Sequence, residues 1–278
     1  MKYYNLNNGN DIPAIGFGCY KIIDKETLRN TLVNCARNDY ELIDTAFYYD
    51  NEHLIGEILK EECLEKEFCI ATKVWPSDFG IENTKKSVER SLVSLNRDYL
   101  DIMYLHWPGD DMEKSWRVLE DYYEQGVIKN IAVSNFFETH LKKLFNCANI
   151  PPQINQLEIH PLNQQNSLIE FCKSNDIQVV AWSPLARGNS SLFDNERLVQ
   201  IASNHKASVA QIILAWHLSR GLAIIPKTIS ANRLKENIEV LDINLSNDEL
   251  LFISSLNADF SVSQSPLDEN WLRKIRYE

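Results

Sequence analysis

The chain has 278 residues, and 28 Lys and Arg stand against 39 Asp and Glu for a net charge of −11. Hydrophobic residues at 44% and charged residues at 24% exclude wholesale disorder, and the acidic balance argues against nucleic acid or an anionic membrane surface as a partner. Nine glycines leave little room for a Gly-rich phosphate loop: no GxxxxGK(S/T) is written, and Gly16-Phe17-Gly18 lacks the third glycine of GxGxxG, which disfavours a Rossmann or P-loop nucleotide fold.

In chain order, the polar N-terminus has no apolar core for a secretory signal. Residues 3–15, with Asn8-Gly9 inside them, predict a β-hairpin. A first strand is expected over 15–19, and a helix over 27–37 with Leu28, Leu32 and Cys35 on one apolar stripe. Short apolar runs then recur at 41–44, 68–73, 100–106, 130–134, 154–158, 178–182 and 222–226, each followed by a segment of helical spacing. Ser208 with Gln211, and Ser246 with Glu249, read as capping boxes that open later helices. Strands alternating with helices in this way match an α/β fold, a (β/α)8 TIM barrel preceded by a hairpin. An open doubly wound sheet would want the glycine fingerprint this chain lacks. A single domain is expected over 1–278, with the hairpin at 1–15 and a short tail at 259–278. Cys19, Cys35, Cys63, Cys69, Cys147 and Cys172 show neither CxxC pairs nor zinc-ligand spacing, so reduced thiols in a cytoplasmic protein and no metal site are expected.

A barrel places function at the C-terminal ends of its strands. Asp44 ends the second run and is followed by Tyr49; Lys73 ends the third and His106 the fourth, while the sixth carries Gln156 and Glu158. These polar ends on adjacent strands aim at one another. A phenol, with a pKa of about 10, is a poor acid at neutral pH unless a nearby ammonium stabilises its anion. Lys73 supplies that ammonium, Asp44 keeps it charged and oriented, and His106 donates a hydrogen bond to the oxygen that Tyr49 protonates or relays its proton. The set suits protonation of a carbonyl oxygen while a nucleophile arrives at carbon. With no paired Ser or Cys nucleophile and no HExxH, hydrolysis and zinc chemistry have little support.

At these residues the sequence resembles the aldo-keto reductase superfamily. Residues 44–52 resemble its DTAxxYxNE motif, and 72–76, 99–108, 133–136, 155–161, 182–185, 225–228 and 233–237 are similar to its later signatures, in order. The short prokaryotic and protozoal members that act on 2,5-diketogluconate, methylglyoxal and small aldehydes are the most similar. The resemblance implies NADPH-dependent reduction of aldehydes and ketones, with Asp44, Tyr49, Lys73 and His106 as the catalytic tetrad and Tyr49 as general acid. It assigns Ser134, Asn135 and Gln156 to the nicotinamide carboxamide, Trp182 to stacking on its ring, and Ser183 and Leu185 to the pyrophosphate. Lys227, Thr228 and Arg233 match the 2′-phosphate grip, and Glu236 and Asn237 the adenine contacts. Gly18, Cys19 and Tyr20 fall beside the cofactor, and Tyr20, Phe47, Trp75, His106 and Trp107 align with the pocket walls. Cys19 stands where threonine is common, and Ala132 where glycine is usual. The short tail implies an open pocket of broad specificity. A monomer acting on a small-molecule carbonyl is expected. Two other readings fit the same residues: a cofactor-binding barrel serving as a regulatory or redox-sensing partner, and a Schiff-base aldolase using Lys73, which pairing with Asp44 disfavours.

Overall fold

The computed structural model describes residues 1–277. Two short strands, β1 (Tyr3–Asn5) and β2 (Asp11–Pro13), pair antiparallel with Tyr4 opposite Ile12. Gly9 sits in the turn at φ +86°, where a side chain would be strained. Leu6 and Ile12 are buried against Leu42, Ile102, Ile154 and Val180, so the hairpin plugs one end of the barrel.

The barrel is a ring of parallel strands: β3 (Phe17–Gly18), β4 (Leu42–Asp44), β5 (Cys69–Val74), β6 (Ile102–Leu105), β7 (Ile131–Ser134), β8 (Ile154–Glu158), β9 (Gln178–Trp182) and β10 (Ala223–Ile224). Each pairs with its neighbour in the chain. The ring closes where Gly16 N–H donates to Ile224 O at 2.8 Å and Ile224 N–H to Ala14 O at 2.9 Å. Helices α1 (Lys25–Arg37), α2 (Glu52–Glu61), α3 (Ile81–Ser94), α4 (Met112–Glu124), α5 (Glu138–Phe145) and α6 (Asn166–Ser174) connect the earlier strands. Helices α7 (Ser190–Phe193), α8 (Glu196–His205), α9 (Val209–Ser219), α10 (Ala231–Glu239), α11 (Asn247–Ser254) and α12 (Glu269–Tyr277) complete the chain. Local chemistry sets their starts. Asp24 accepts the Thr27 N–H to open α1, and both capping boxes form, Ser208 with Gln211 on α9 and Ser246 with Glu249 on α11. Among the described residues, no helix is long and apolar enough to cross a membrane.

Alternation along the strands decides what points inward. Leu42, Ala71, Ile102, Tyr104, Ala132, Ile154, Val180 and Ala223 fill the barrel interior, whereas Ile43, Ile70, Met103, Leu105, Val133, Leu157 and Val179 pack outward beneath the helices. One pleat further along the inward series lie Asp44, Lys73, His106, Ser134, Gln156 and Trp182. The barrel mouth is therefore built by strand parity.

The short tail folds back over one side of the barrel mouth. Ala258 and Phe260 N–H groups donate to Leu162 O at 3.1 and 3.0 Å. Glu158 takes the Ser261 hydroxyl at 2.8 Å and the Val262 N–H at 2.6 Å. Beyond this clasp, α12 packs buried Ile275 and half-buried Trp271 and Leu272 against Trp75 and Trp107. Arg276 pins it by donating to Pro76 O, Phe79 O and Asp111 at 2.5, 3.2 and 3.1 Å. Trp271, Leu272 and Ile275 share one face of α12, and docking shields that face in part from water.

Candidate active site

Asp44 closes β4 and Lys73 lies near the end of β5, and both side chains point into the barrel. Lys73 is 0% exposed and Asp44 3%. The Lys73 ammonium donates to Asp44 Oδ1 and to Thr45 O, each at 2.7 Å, and Gln156 Nε2 donates to Asp44 Oδ2 at 2.7 Å. Tyr49 comes from the 3₁₀ turn that follows β4, and its half-buried ring lies over this pair, 5.1 Å from Lys73 Nζ to the ring centroid. His106 presents itself edge-on to Tyr49 at 5.7 Å and 74°. The structure thus brings Asp44, Tyr49, Lys73 and His106 together from separate elements.

Burial dominates the electrostatics of the cluster. It pushes the Lys73 ammonium below the ordinary lysine value, while the Asp44 charge and hydrogen bond pull it back. It also pushes the Tyr49 phenol well above its ordinary value, and the Asp44 charge adds to that. The residue types alone predict that Lys73 eases the proton off Tyr49. Instead Lys73 directs its hydrogen bonds to Asp44 and Thr45, desolvation prevails, and the phenol stays protonated as a proton donor must. Burial, then the Lys73 charge, holds His106 well below the usual imidazole range, so its ring is neutral. Its Nδ1 is buried with no hydrogen-bond partner among the described residues. An orphaned buried ring nitrogen costs about 1–3 kcal/mol.

The expected cofactor residues form a connected shelf beside the cluster. Ser134 Oγ donates to Gln156 O at 3.1 Å. Asn135, held at φ +62°, turns its amide back to donate to His106 O at 3.0 Å and to Ser134 Oγ at 3.1 Å. Its Oδ1 accepts the Trp182 indole N–H at 2.9 Å. Beyond Trp182 the chain is left-handed at Ser183, Ala186 and Arg187, with half-buried Leu185 between them; such strain recurs at ligand-binding loops. On β3, a Cβ on Gly18 would lie 3.1 Å from Ile225 O, a tight contact that glycine avoids. Cys19 is wholly buried and Tyr20 stays exposed, tilted against Tyr49 at 4.9 Å.

Lys227 and Arg233 are exposed, and neither side chain has a hydrogen-bond or ion-pair partner among the described residues. Thr228 Oγ1 accepts the Ser230 N–H at 3.2 Å, and Ser230 caps α10. Glu236 is half-buried and Asn237 buried on the same helix. Two unpaired cations, a hydroxyl and a helix N-terminus form a donor set that suits a phosphate group.

The aromatic rim departs from expectation at one residue. The Phe47 ring lies 3.5 Å beneath the Arg90 guanidinium, itself held by Asp78 at 2.5 Å, and so turns away from the cluster. Its neighbour Tyr48, which sequence reasoning passed over, stacks on Trp75 at 3.9 Å and 9°. On a 3₁₀ turn one residue rotates the side chain by about 120°, which decides the matter. Trp75 meets His106 edge-on at 5.0 Å, and Trp107 meets Trp271 at 4.4 Å. Tyr104 was also missed, although it shares the inward parity of His106 on β6. Glu158 serves the tail clasp.

Comparison with known proteins gives the family. The model of the Aldo/keto reductase family matches residues 14–258. Glyoxal reductase of Bacillus subtilis is 42% identical over 263 residues, covering 94% of this chain and 95% of the relative. Methylglyoxal reductase DkgA of Yersinia pestis is 36% identical over 265 residues, with the same coverage of 94% and 95%. Among solved structures, an aldo-keto reductase from a Medee basin deep-sea metagenome superposes with a TM-score of 0.90 at 33% identity, covering 96% of this chain and 99% of that one. A silkworm aldo-keto reductase complexed with NADPH gives 0.89 at 28% identity, covering 95% and 90%. With the barrel, the buried Asp44–Lys73 pair and the overlying Tyr49 in place, the chain belongs to the aldo/keto reductase family and is an oxidoreductase of that family.

Proposed function

We propose that this protein reduces small aldehydes and ketones to alcohols with NADPH, short dicarbonyls such as methylglyoxal foremost, and that Tyr49 is the general acid. The observation that carries the proposal is the buried Asp44–Lys73 pair at 2.7 Å beneath the Tyr49 ring, with a neutral His106 edge-on to that ring. The names of the two bacterial relatives support the substrate class. Ser134, Asn135 and Gln156 would hold the cofactor's carboxamide, Trp182 its ring, and Ser183 and Leu185 its pyrophosphate, with Gly18, Cys19 and Tyr20 alongside. Lys227, Thr228 and Arg233 would take the 2′-phosphate, Glu236 and Asn237 the adenine. The bound cofactor supplies the hydride. The two unpaired cations favour NADPH over NADH.

The side chains do the rest. As negative charge develops on the carbonyl oxygen, Tyr49 releases its proton to it, and the Lys73 ammonium offsets the charge left on the phenol. Asp44 keeps Lys73 charged and aligned, while His106 donates a hydrogen bond to the same oxygen. Tyr20, Tyr48, Trp75 and Trp107 exclude water. A lysine this deeply paired is charged and cannot attack a carbonyl, which disfavours Schiff-base chemistry. A purely regulatory barrel would carry the same set, and turnover is what separates the two. All six cysteines are unpaired, which suits the reducing cytoplasm. The test is NADPH oxidation with methylglyoxal and larger aldehydes, run beside NADH. Failure of every carbonyl to oxidise NADPH overturns the proposal.

A further inference from the structure

The mechanism above gives Tyr104 no task, yet Tyr104 is 1% exposed at the centre of the barrel. On β6 it is the register partner of Lys73 on β5, one pleat before His106. An ammonium has three N–H donors. Lys73 uses two of them, on Asp44 Oδ1 and Thr45 O, with no third oxygen acceptor among the described residues. Two aromatic faces flank it instead: Tyr49 at 5.1 Å and Tyr104 at 5.5 Å from Nζ to the centroid. Both lie within the range of about 6 Å at which a ring face attracts a cation, and the attraction is greatest when water is absent, as here. The groups that face Lys73 are Cys19 after β3, Asp44 on β4, Tyr49 on its 3₁₀ turn, Glu52 on α2, and Tyr104 and His106 on β6. Tyr49 has the proton to deliver. Tyr104 lies deeper, on the barrel side; its hydroxyl meets the Gln156 side chain, and its face is what it turns to Lys73.

We propose that Tyr104 is a positioning residue whose ring face holds the Lys73 ammonium charged and aligned on Asp44 beneath Tyr49. The proposal rests on the roles given to Tyr49 and Lys73 above. It makes the ring, and not the hydroxyl, the working part of Tyr104. Removing the face weakens the charged form of Lys73, so its proton leaves at lower pH and the active ammonium is lost sooner as pH rises.

The experiment compares wild type, Tyr104→Phe and Tyr104→Leu. One readout is the alkaline limb of kcat for methylglyoxal reduction at saturating NADPH. The other, independent of turnover, is the Lys73 Nζ titration followed by ¹⁵N-lysine NMR. In Tyr104→Leu both move toward acid by about one pH unit, and kcat near neutrality falls about tenfold. In Tyr104→Phe the limb and the titration stay at their wild-type positions. Tyr104→Met replaces the Leu variant if that one does not fold, with the same acid shift expected. A folded Leu or Met variant whose limb and titration do not move overturns the proposal, and so does an equal shift in Tyr104→Phe. If wild type turns over no carbonyl, the proposed function fails, while the Nζ titration still decides the role of Tyr104.

Discussion

Replacing Asp44 by Asn is the most informative single change. The shape is kept, but the carboxylate that faces Lys73 at 2.7 Å and accepts Gln156 Nε2 at 2.7 Å is lost. A fully buried ammonium is left without its counter-ion, and breaking such a pair costs about 3–5 kcal/mol. The loss has a ceiling, because Lys73 can drop its proton on folding. From the ordinary lysine value of 10.5, that costs about 4.8 kcal/mol at pH 7 and about 2 kcal/mol at pH 9. In the variant the folded pKa lies further below the unfolded one than in wild type. Between those values the folded state binds fewer protons, so stability rises with pH. The deficit against wild type therefore narrows to about 2 kcal/mol or less at pH 9, by about a third to a half or more of its value at pH 7. Urea denaturation at several pH values measures it, and at pH 7 the melting temperature should fall by about 10 °C. Reductase activity falls at least about 100-fold with it, since a neutral Lys73 cannot offset the charge on Tyr49. A variant as stable as wild type at pH 7, or a deficit that stays flat to pH 9, would refute a charged Lys73 paired with Asp44.

Tyr49→Phe should lower kcat about 10³-fold while the NADPH dissociation constant, read by fluorescence quenching, changes less than about twofold, because only the proton donor is removed. Retained turnover would show that another group delivers the proton. Arg233→Ala should raise the Michaelis constant for NADPH about tenfold and leave that for NADH unchanged, in line with one lost charge-assisted contact. An equal effect on both cofactors would move the 2′-phosphate grip elsewhere. Glu158→Ala frees the Ser261 hydroxyl and the Val262 N–H. Limited proteolysis within 259–268 should then be about fivefold faster, and an unchanged digestion rate would mean that α12 alone fastens the tail.

Much of this protein was legible before any coordinates. Alternation along the strands is a local property of the backbone, so the parity that makes Leu42, Ala71, Ile154 and Val180 apolar carries Asp44, Lys73, Gln156 and Trp182 to the barrel mouth. The hairpin turn at Gly9 and the caps at Ser208 and Ser246 are equally local, each set by a few neighbouring residues. Tertiary structure alone decided the rest. Whether Phe47 or Tyr48 faces Trp75 depended on the turn after β4 and on Arg90 from a distant helix. Tyr104 gained its place only because β6 pairs with β5 in one register. Glu158 looked like a site residue and became a clasp because residues some hundred positions later fold back over it. The proton affinities of Tyr49 and His106 were set chiefly by desolvation, which depends on everything packed around a group. Periodicity and capping are written within a few residues; burial and the direction of a loop side chain are written by the whole fold.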